Sequence, residues 1–422
     1  MHMWYKGKYG WLLLTVVLLG GCQKESVQPG AEEPVLRQLS TEEKELVTSI
    51  NTFAFDLIRD QAEHRPQDNV FLSPYSINLA LSMTLNGATA ATLEDLHQGL
   101  EHEVITPAEI NKAYSELTPF LQQLDRRVDF TLATALWYDR QLHTQPRSQD
   151  ILSAYYQARV SDIAFGRRKS PDIINKWVQE QTNDRITGLV DKLNPDASMY
   201  VTSAVQFAGG WTVPFKEEDT APGTFHLPNG ATITTDMMFA PQATYHFYED
   251  EQKTMIDIPY GDQQYSMTLV LPQERDSLAN LIRTLDAVTF RQCLSRMDTL
   301  NSSLSVPKFA IEYQASLKPM LSRLGMGVAF SDTADFSRLF MDPTVSIPLS
   351  DVLHKAVITV NETGTEAITS TVTQASSTAA VSPSVHVNRS FLFFIRENHT
   401  GVIVFAGRLS HPTPPTKPAL VN

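Results

Sequence analysis

The stretch Thr365-Glu-Ala-Ile-Thr-Ser-Thr-Val-Thr-Gln-Ala-Ser-Ser-Thr-Ala-Ala-Val-Ser-Pro383 breaks the pattern of the chain around it. Nine of its 19 residues are Ser or Thr, four are Ala, one (Glu366) is charged and none is aromatic. A segment so poor in large apolar side chains cannot anchor a core, and its plain reading is a surface linker. Two features oppose that reading. It contains no glycine, and eight of its residues are β-branched, a composition that favours extended strand. A strand-competent segment with no core to pack on is an aggregation hazard, unless it is meant to become a strand later. Side chains alternate faces along a strand. Thr365, Ala367, Thr369, Thr371 and Thr373 form a small, uncharged face that could slip beneath a covering layer. Glu366, Ile368, Ser370, Val372 and Gln374 form the other.

Working outward, Phe391–Glu397 and Val402–Leu409 read as a hairpin across Asn398-His-Thr-Gly401. Met255–Tyr260 and Tyr265–Leu271 read as a second hairpin, and Phe130–Trp137 as a strand. Ser40-Thr-Glu-Glu43 is a capping box. With Leu46, Ile50, Phe53 and Leu57 at helical spacing it predicts a helix over 41–62. Thr106-Pro-Ala-Glu109 starts another helix, with proline at its first position. Ile173-Ile-Asn-Lys-Trp177 opens a further amphipathic one. Helices dominate the first half and strands the second, without βαβ alternation, which predicts an α+β class with a single domain over 41–412. Residues 413–422, entered through Pro412-Thr-Pro-Pro-Thr-Lys-Pro418, read as a disordered, proline-rich end.

The chain has 422 residues, 42% of them apolar and 19% charged, enough for a sizeable core. A formal net charge of -13 argues against nucleic acid and against electrostatic attraction to anionic lipid. Lys6 and Lys8 precede the apolar run Trp11–Leu19, too short to span a bilayer as a helix, so residues 1–21 read as a signal peptide. Leu19-Gly-Gly-Cys22 resembles the bacterial lipobox, in which cleavage leaves Cys22 to carry the lipid. Residues 22–40 would then form a leash, and the protein would be exported to the cell envelope, at the outer membrane or cell surface, held to the membrane only by that lipid. Cys293, the second of two cysteines, reads as a buried structural thiol. His97 and His102, five apart and off one helical face, read as surface residues rather than a metal site. No metal and no cofactor are expected.

Several segments, in order, resemble the serpin family over 41–412. They are Asn69-Val-Phe-Leu-Ser-Pro-Tyr-Ser76, Phe207-Ala-Gly-Gly-Trp211, Val306-Pro-Lys-Phe309, Leu353-His-Lys-Ala356 with Glu362-Thr-Gly-Thr-Glu-Ala367, Val385–Ile395 and Phe405–Pro412. The resemblance implies three β-sheets, about nine helices and an exposed reactive loop. It implies a suicide-type inhibitor that traps a protease as acyl-enzyme when the cleaved loop inserts into the main sheet, and it implies no catalysis by this chain. The hinge would be Glu362, Gly364, Thr365, Glu366 and Ala367. Neither a proline nor a bulky charge stands at its small positions, although Ile368 and Thr369 are bulkier than the alanine the family often carries. Counting from the hinge acid places the reactive bond at Thr378-Ala379, with Ser377 and Ala380 as neighbours. No Lys, Arg or aromatic residue lies in the loop, which disfavours trypsin-like and chymotrypsin-like targets. The small side chains suit an extracellular or periplasmic elastase-like or subtilisin-like serine protease, with cysteine proteases also open.

Ser73, Ser76, Ser203, Trp211 and His354 would form the cluster where the sheet must part. Ser203 stands where the family usually has Asn, so different wiring is expected. A hydrolase using Ser73 or Ser76 with His354 is the competing enzyme reading, and no Gly-x-Ser-x-Gly elbow supports it. Two further readings are a non-inhibitory serpin acting as a binding or chaperone-like surface protein, and an adhesin whose loop is only a linker. The inhibitor is expected to be a monomer, with polymerisation through the loop open to it.

Overall fold

The computed structural model describes residues 36–274, 277–341, 347–365 and 384–414. The chain opens with α1 (Thr41–His64), β1 (Val70–Leu72), α2 (Pro74–Leu85), α3 (Ala90–Gly99) and α4 (Pro107–Gln123). Then come β2 (Val128–Asp139), α5 (Pro146–Tyr156), β3 (Arg159–Ile163), α6 (Ser170–Gln181), β4 (Met199–Gly210), β5 (Ala221–His226), β6 (Thr232–Glu249), β7 (Lys253–Tyr260) and β8 (Tyr265–Pro272). The second half adds α7 (Leu278–Thr284), α8 (Ala287–Leu294), β9 (Asp298–Pro307), β10 (Phe309–Ser316) and α9 (Lys318–Leu321). It closes with β11 (Leu349–Asn361), β12 (Gly364–Thr365), β13 (Ser384–His386), β14 (Phe391–Glu397) and β15 (Ile403–Leu409).

Local chemistry sets the helix starts. Ser40 and Glu43 form the predicted capping box, the Ser40 hydroxyl accepting from the Glu43 amide at 3.2 Å and the Glu43 carboxylate from the Ser40 amide at 2.8 Å. Thr106 and Glu109 do the same for α4. The third predicted helix, α6, begins three residues before Ile173, because Pro171 fits the first turn, where no amide partner is needed. Residues 36–40, the end of the stretch expected to form a leash, are described, and Arg37 packs on the fold. Arg37 pairs with Glu43, its guanidinium lies 4.8 Å from the Phe120 ring centre, and its carbonyl meets His399 Nε2 at 2.7 Å.

Strands β10-β11-β12-β4-β2-β3 form a six-stranded sheet. The order β1-β15-β14-β8-β7-β6-β9-β13, with β5 on β6, forms a larger one. The 18-residue β6 pairs with β9 over Met237–Phe247 and with β7 over His246–Glu249, so what would be two sheets share one continuous ladder. The sheets are pinned to each other by aromatic rings: Phe405 of β15 lies 6.2 Å from Phe130 of β2 and 6.1 Å from Phe207 of β4. Helix α2 is buried on every side within this core, and its four polar side chains, Ser76, Asn78, Ser82 and Thr84, are each hydrogen-bonded there. The opposite face of the six-stranded sheet carries α6, whose Trp177 meets Trp137 edge-on at 5.5 Å. Cys293 is buried in α8, in keeping with a structural thiol.

Candidate functional site: a seam between two parallel strands

β11 and β4 run parallel, Asp351–Ala356 alongside Tyr200–Val205. Beyond Ala356 they separate, and β12 fills the opening. Gly364 sits between Asn361 and Gly210, and Thr365 between Val360 and Gly209, antiparallel to both neighbours. The reactive-loop stretch thus enters the sheet at its first residue.

The turn that sends it there is built from side chains. Asn361 Oδ1 accepts from the amides of Thr363 (3.0 Å) and Gly364 (3.2 Å). Trp211 donates its ring N–H to the Asn361 carbonyl at 2.9 Å and its amide to Thr363 at 3.0 Å. Gly364 has φ +154°, and a Cβ there would lie 2.2 Å from the Gly209 carbonyl oxygen, so only glycine fits. Thr365 is fully buried, its hydroxyl 2.5 Å from Tyr260 Oη, and the Tyr260 ring stacks on Trp211 at 4.4 Å. Glu362 is buried and takes 2.9 Å and 2.7 Å hydrogen bonds from Lys308 Nζ and Thr220 Oγ1. Burial alone would raise its pKa, but these two donors outweigh it and hold the carboxyl below the usual range.

Beneath the seam Ser73, Ser76, Ser203 and His354 lie in contact, while Trp211, the fifth residue of the expected cluster, stands apart from them at the hinge turn against Asn361 and Tyr260. Ser73 caps α2, receiving the Ser76 amide on Oγ at 3.1 Å and donating Oγ–H to the Val404 carbonyl at 2.7 Å. The Ser73 amide donates to His354 Nε2 at 3.3 Å, so that nitrogen is bare and the ring proton sits on Nδ1, 3.0 Å from the Ser203 carbonyl. Ser203 Oγ lies 2.9 Å from Ser76 Oγ and 3.3 Å from His354 Nδ1. A short hydroxyl therefore does bridge the helix to the seam at the position of the expected departure. Burial pushes the His354 pKa down to about 3, keeping the ring neutral. Ser73, Ser76, Ser203 and His354 are all fully buried, which counts against a hydrolase reading that uses them. Among the described residues the hydroxyl of Thr134, opposite Ser203 on β2, and Oε1 of Gln206 on β4 are buried without a hydrogen-bond partner.

Above the seam the segment after α6 is fastened down. Lys355 Nζ donates to the Thr187 carbonyl at 2.7 Å and pairs with Glu312 at 2.5 Å, while Gln314 Nε2 donates to the Leu189 carbonyl at 2.9 Å.

The expectation for the two histidines is overturned in part. His102 is fully buried, not a surface residue, its Nε2 2.9 Å from Ser82 Oγ and its ring edge-on to His97 at 6.0 Å. The chain between α3 and α4 folds back over α2 and carries it inside, which spacing along one helix could not show. Burial, with His97 adding, lowers its pKa to about 3. Among the described residues no group of three His, Cys, Asp or Glu side chains is gathered as metal ligands.

Glu366, Ala367, Ser377, Thr378, Ala379, Ala380 and Cys22 lie outside the described residues. Sequence reading missed Lys308, Thr220, Tyr260, Asn361 and Lys355 as parts of the site. Lys308 and Lys355 stand inside two segments that carried the resemblance, and that nearness was the available signal. Thr220 and Tyr260 join the hinge only through tertiary packing.

A family profile described as "Serpin (serine protease inhibitor)" matches residues 48–412. An uncharacterized serpin-like protein of Thermococcus kodakarensis is 30% identical over 432 residues, covering 95% of this chain and 98% of its own. Human Serpin B3 is 32% identical over 384 residues, covering 85% of this chain and 97% of its own. Among solved structures, the thermophilic serpin tengpin in its native state superposes with a TM-score of 0.80 at 28% identity, over 89% of this chain and 95% of its own. Human thyroxine-binding globulin complexed with thyroxine gives 0.81 at 26%, over 88% and 100%.

Proposed function

This chain belongs to the serpin family, and we propose that within it the protein is an inhibitor of the loop-inserting kind rather than a passive carrier. The fold alone leaves the choice open, since thyroxine-binding globulin shares it. The observation that carries the reading is β12: Gly364 of the hinge and Thr365, the first residue of the reactive-loop stretch, already occupy the seam between β11 and β4, small, uncharged and in strand register. A protease attacks the loop, at Thr378-Ala379 in this reading, and forms an acyl-enzyme. The freed loop then continues the path that Thr365 has begun. Serpin loop insertion is a known case of strand addition. About 15 residues at ~3.3 Å each make a strand of roughly 50 Å, and at ~1 kcal/mol net per hydrogen bond the new strand supplies on the order of 10 kcal/mol. The protease is carried to the far pole and distorted before water releases it. The uncleaved form must then be kinetically held rather than the most stable one.

The favoured targets are elastase-like or subtilisin-like serine proteases outside the cytoplasm, with cysteine proteases next. Residues 1–21 act as export signal in this proposal, and Cys22 tethers a monomeric inhibitor to the cell envelope by its lipid. The test is to mix the protein with pancreatic elastase and with subtilisin, run a denaturing gel and size the released fragment by mass spectrometry. A band at the summed mass, with cleavage after Thr378 or Ala379, is expected. Clean cleavage with the protease still active would overturn the reading in favour of a non-inhibitory binding protein.

A further inference from the structure

Helix α3 ends in a turn that sets two histidines together. The His102 amide donates to the His97 carbonyl at 2.9 Å and the Glu101 amide to the Gln98 carbonyl at 2.9 Å, with Glu101 at φ +62°. This is the Schellman ending, which brings together the side chains at the places of His97 and His102 and commonly fills them with apolar residues. Here both are imidazoles, their ring centres 6.0 Å apart and their planes crossed at 66°. The spacing of five that puts them off one helical face is the spacing this turn closes. Glu101 holds the left-handed position usually given to glycine, a strained backbone of the kind that clusters at functional sites.

The hydrogen bonds around His102 fix where its proton lies. Asn78 Nδ2 donates to the Leu100 carbonyl at 3.2 Å, so Asn78 Oδ1 faces the other way and accepts, from Tyr114 Oη at 2.8 Å and from Ser82 Oγ at 3.1 Å. With its own proton spent on Asn78, Ser82 Oγ accepts from His102 Nε2 at 2.9 Å. His102 Nδ1 is then a bare lone pair on a fully buried residue, and among the described residues it has no hydrogen-bond partner. His97 Nε2 is likewise buried without a partner there, although His97 as a whole is only half-buried, which leaves a way in. We propose that these two nitrogens bind one copper(I) ion. A neutral imidazole whose other nitrogen is held by a hydrogen bond is the ordinary form of a histidine ligand. With metal–nitrogen bonds of ~2.0 Å and ~1.1 Å from nitrogen to ring centre, two rings on one ion stand about 6.2 Å apart when opposed and about 5 Å apart at a tetrahedral angle. The observed 6.0 Å suits the opposed arrangement, which copper(I) accepts with two nitrogens alone and four-coordinate zinc does not. The expectation that this pair is no metal site is replaced by that of a two-nitrogen copper site, and it stands apart from the inhibitory reading.

The test is anaerobic titration of the full chain against copper(I) held by bicinchoninate, with copper-edge X-ray absorption on the protein loaded with one equivalent. We expect the chain to withdraw that equivalent and the ion to show nitrogen neighbours only. Sulfur neighbours would assign the copper to Cys22 or Cys293 and overturn the proposal. A His97→Gln variant, which leaves His102 and its bond to Ser82 in place, should bind at least about 100-fold more weakly, and unchanged affinity would refute the role of the pair. Copper(I) should raise the thermal midpoint of the parent and not that of the variant. An equal rise in both would place the ion elsewhere and count against the site. Uptake of zinc(II) without copper(I) would overturn the choice of ion. Uptake of neither would leave the two nitrogens to a bridging water and overturn the proposal outright.

Discussion

Thr365→Arg is the substitution that bears most directly on how the seam works. Thr365 is fully buried between two strands, with Tyr260 Oη as its polar neighbour. An arginine there either carries an unpaired charge into the sheet or keeps the strand out. Burying a charge without its partner costs at least ~3 kcal/mol. Placed on the barrier to insertion, that slows the step about 100-fold, since each 1.36 kcal/mol is a factor of ten in rate. If the parent inserts about ten times faster than the acyl-enzyme hydrolyses, it traps nearly one protease per molecule. The variant's ratio falls to about one in ten, so roughly ten inhibitors are consumed for each protease captured. The assay is titration of elastase or subtilisin activity, with a denaturing gel beside it, and Thr365→Ser as the control that retains the hydroxyl. The cleavage site should not move. A Thr365→Arg protein that still captures protease one to one would refute the idea that the strand enters the seam from this residue.

Other outcomes follow from neighbouring groups. Glu362→Gln weakens the bonds to Lys308 and Thr220, and should lower unfolding stability by about 1–3 kcal/mol in urea titration; an unchanged midpoint would show that the hinge is held by its backbone. His102 and His354 are both depressed from 6.5 to about 3, so folded chains keep them neutral while unfolded chains take up a proton below pH 6.5. Their contribution to stability is therefore complete above pH 6.5 and is lost as the pH falls towards 3, at about 1.4 kcal/mol per pH unit for each ring. A His102→Asn variant should show a slope of stability against pH shallower by that amount over this window, and an equal slope would contradict the burial. Lys355→Met removes the clamp on Thr187 and should speed insertion in stopped-flow measurements with a reporter dye in the loop; slower insertion would mean that the clamp guides the strand instead.

The parts of the fold written in local chemistry were legible. Ser40 with Glu43 and Thr106 with Glu109 announce their helices, and the hairpins around Gly261-Asp262 and Asn398–Gly401 announce theirs. The hinge was legible through the resemblance of Glu362-Thr-Gly-Thr-Glu-Ala367 to the family segment that leads into the loop. What stayed hidden was set by distant partners. Tyr260 reaches Thr365 across 105 positions and Trp211 reaches Asn361 across 150, and neither spacing leaves a periodic trace. The burial of His102 depends on how the α3–α4 connection folds over α2. The continuity of the larger sheet through β6 likewise depends on one strand being long enough to serve two neighbours.

The two seated residues of β12 also change the kind of event that insertion is. Adding a strand to a closed sheet normally requires a nucleus: the first pair must be fixed before any neighbour can support it, and that step is the improbable one. Here Gly364 and Thr365 are that nucleus, already formed in the resting molecule, with Thr365 hydrogen-bonded to Tyr260, whose ring stacks on Trp211. In the proposed mechanism, what remains after cleavage is propagation, one residue following another along a track whose first rung is occupied. Its speed is then set by how readily β11 and β4 peel apart at the next position, not by a search for the way in.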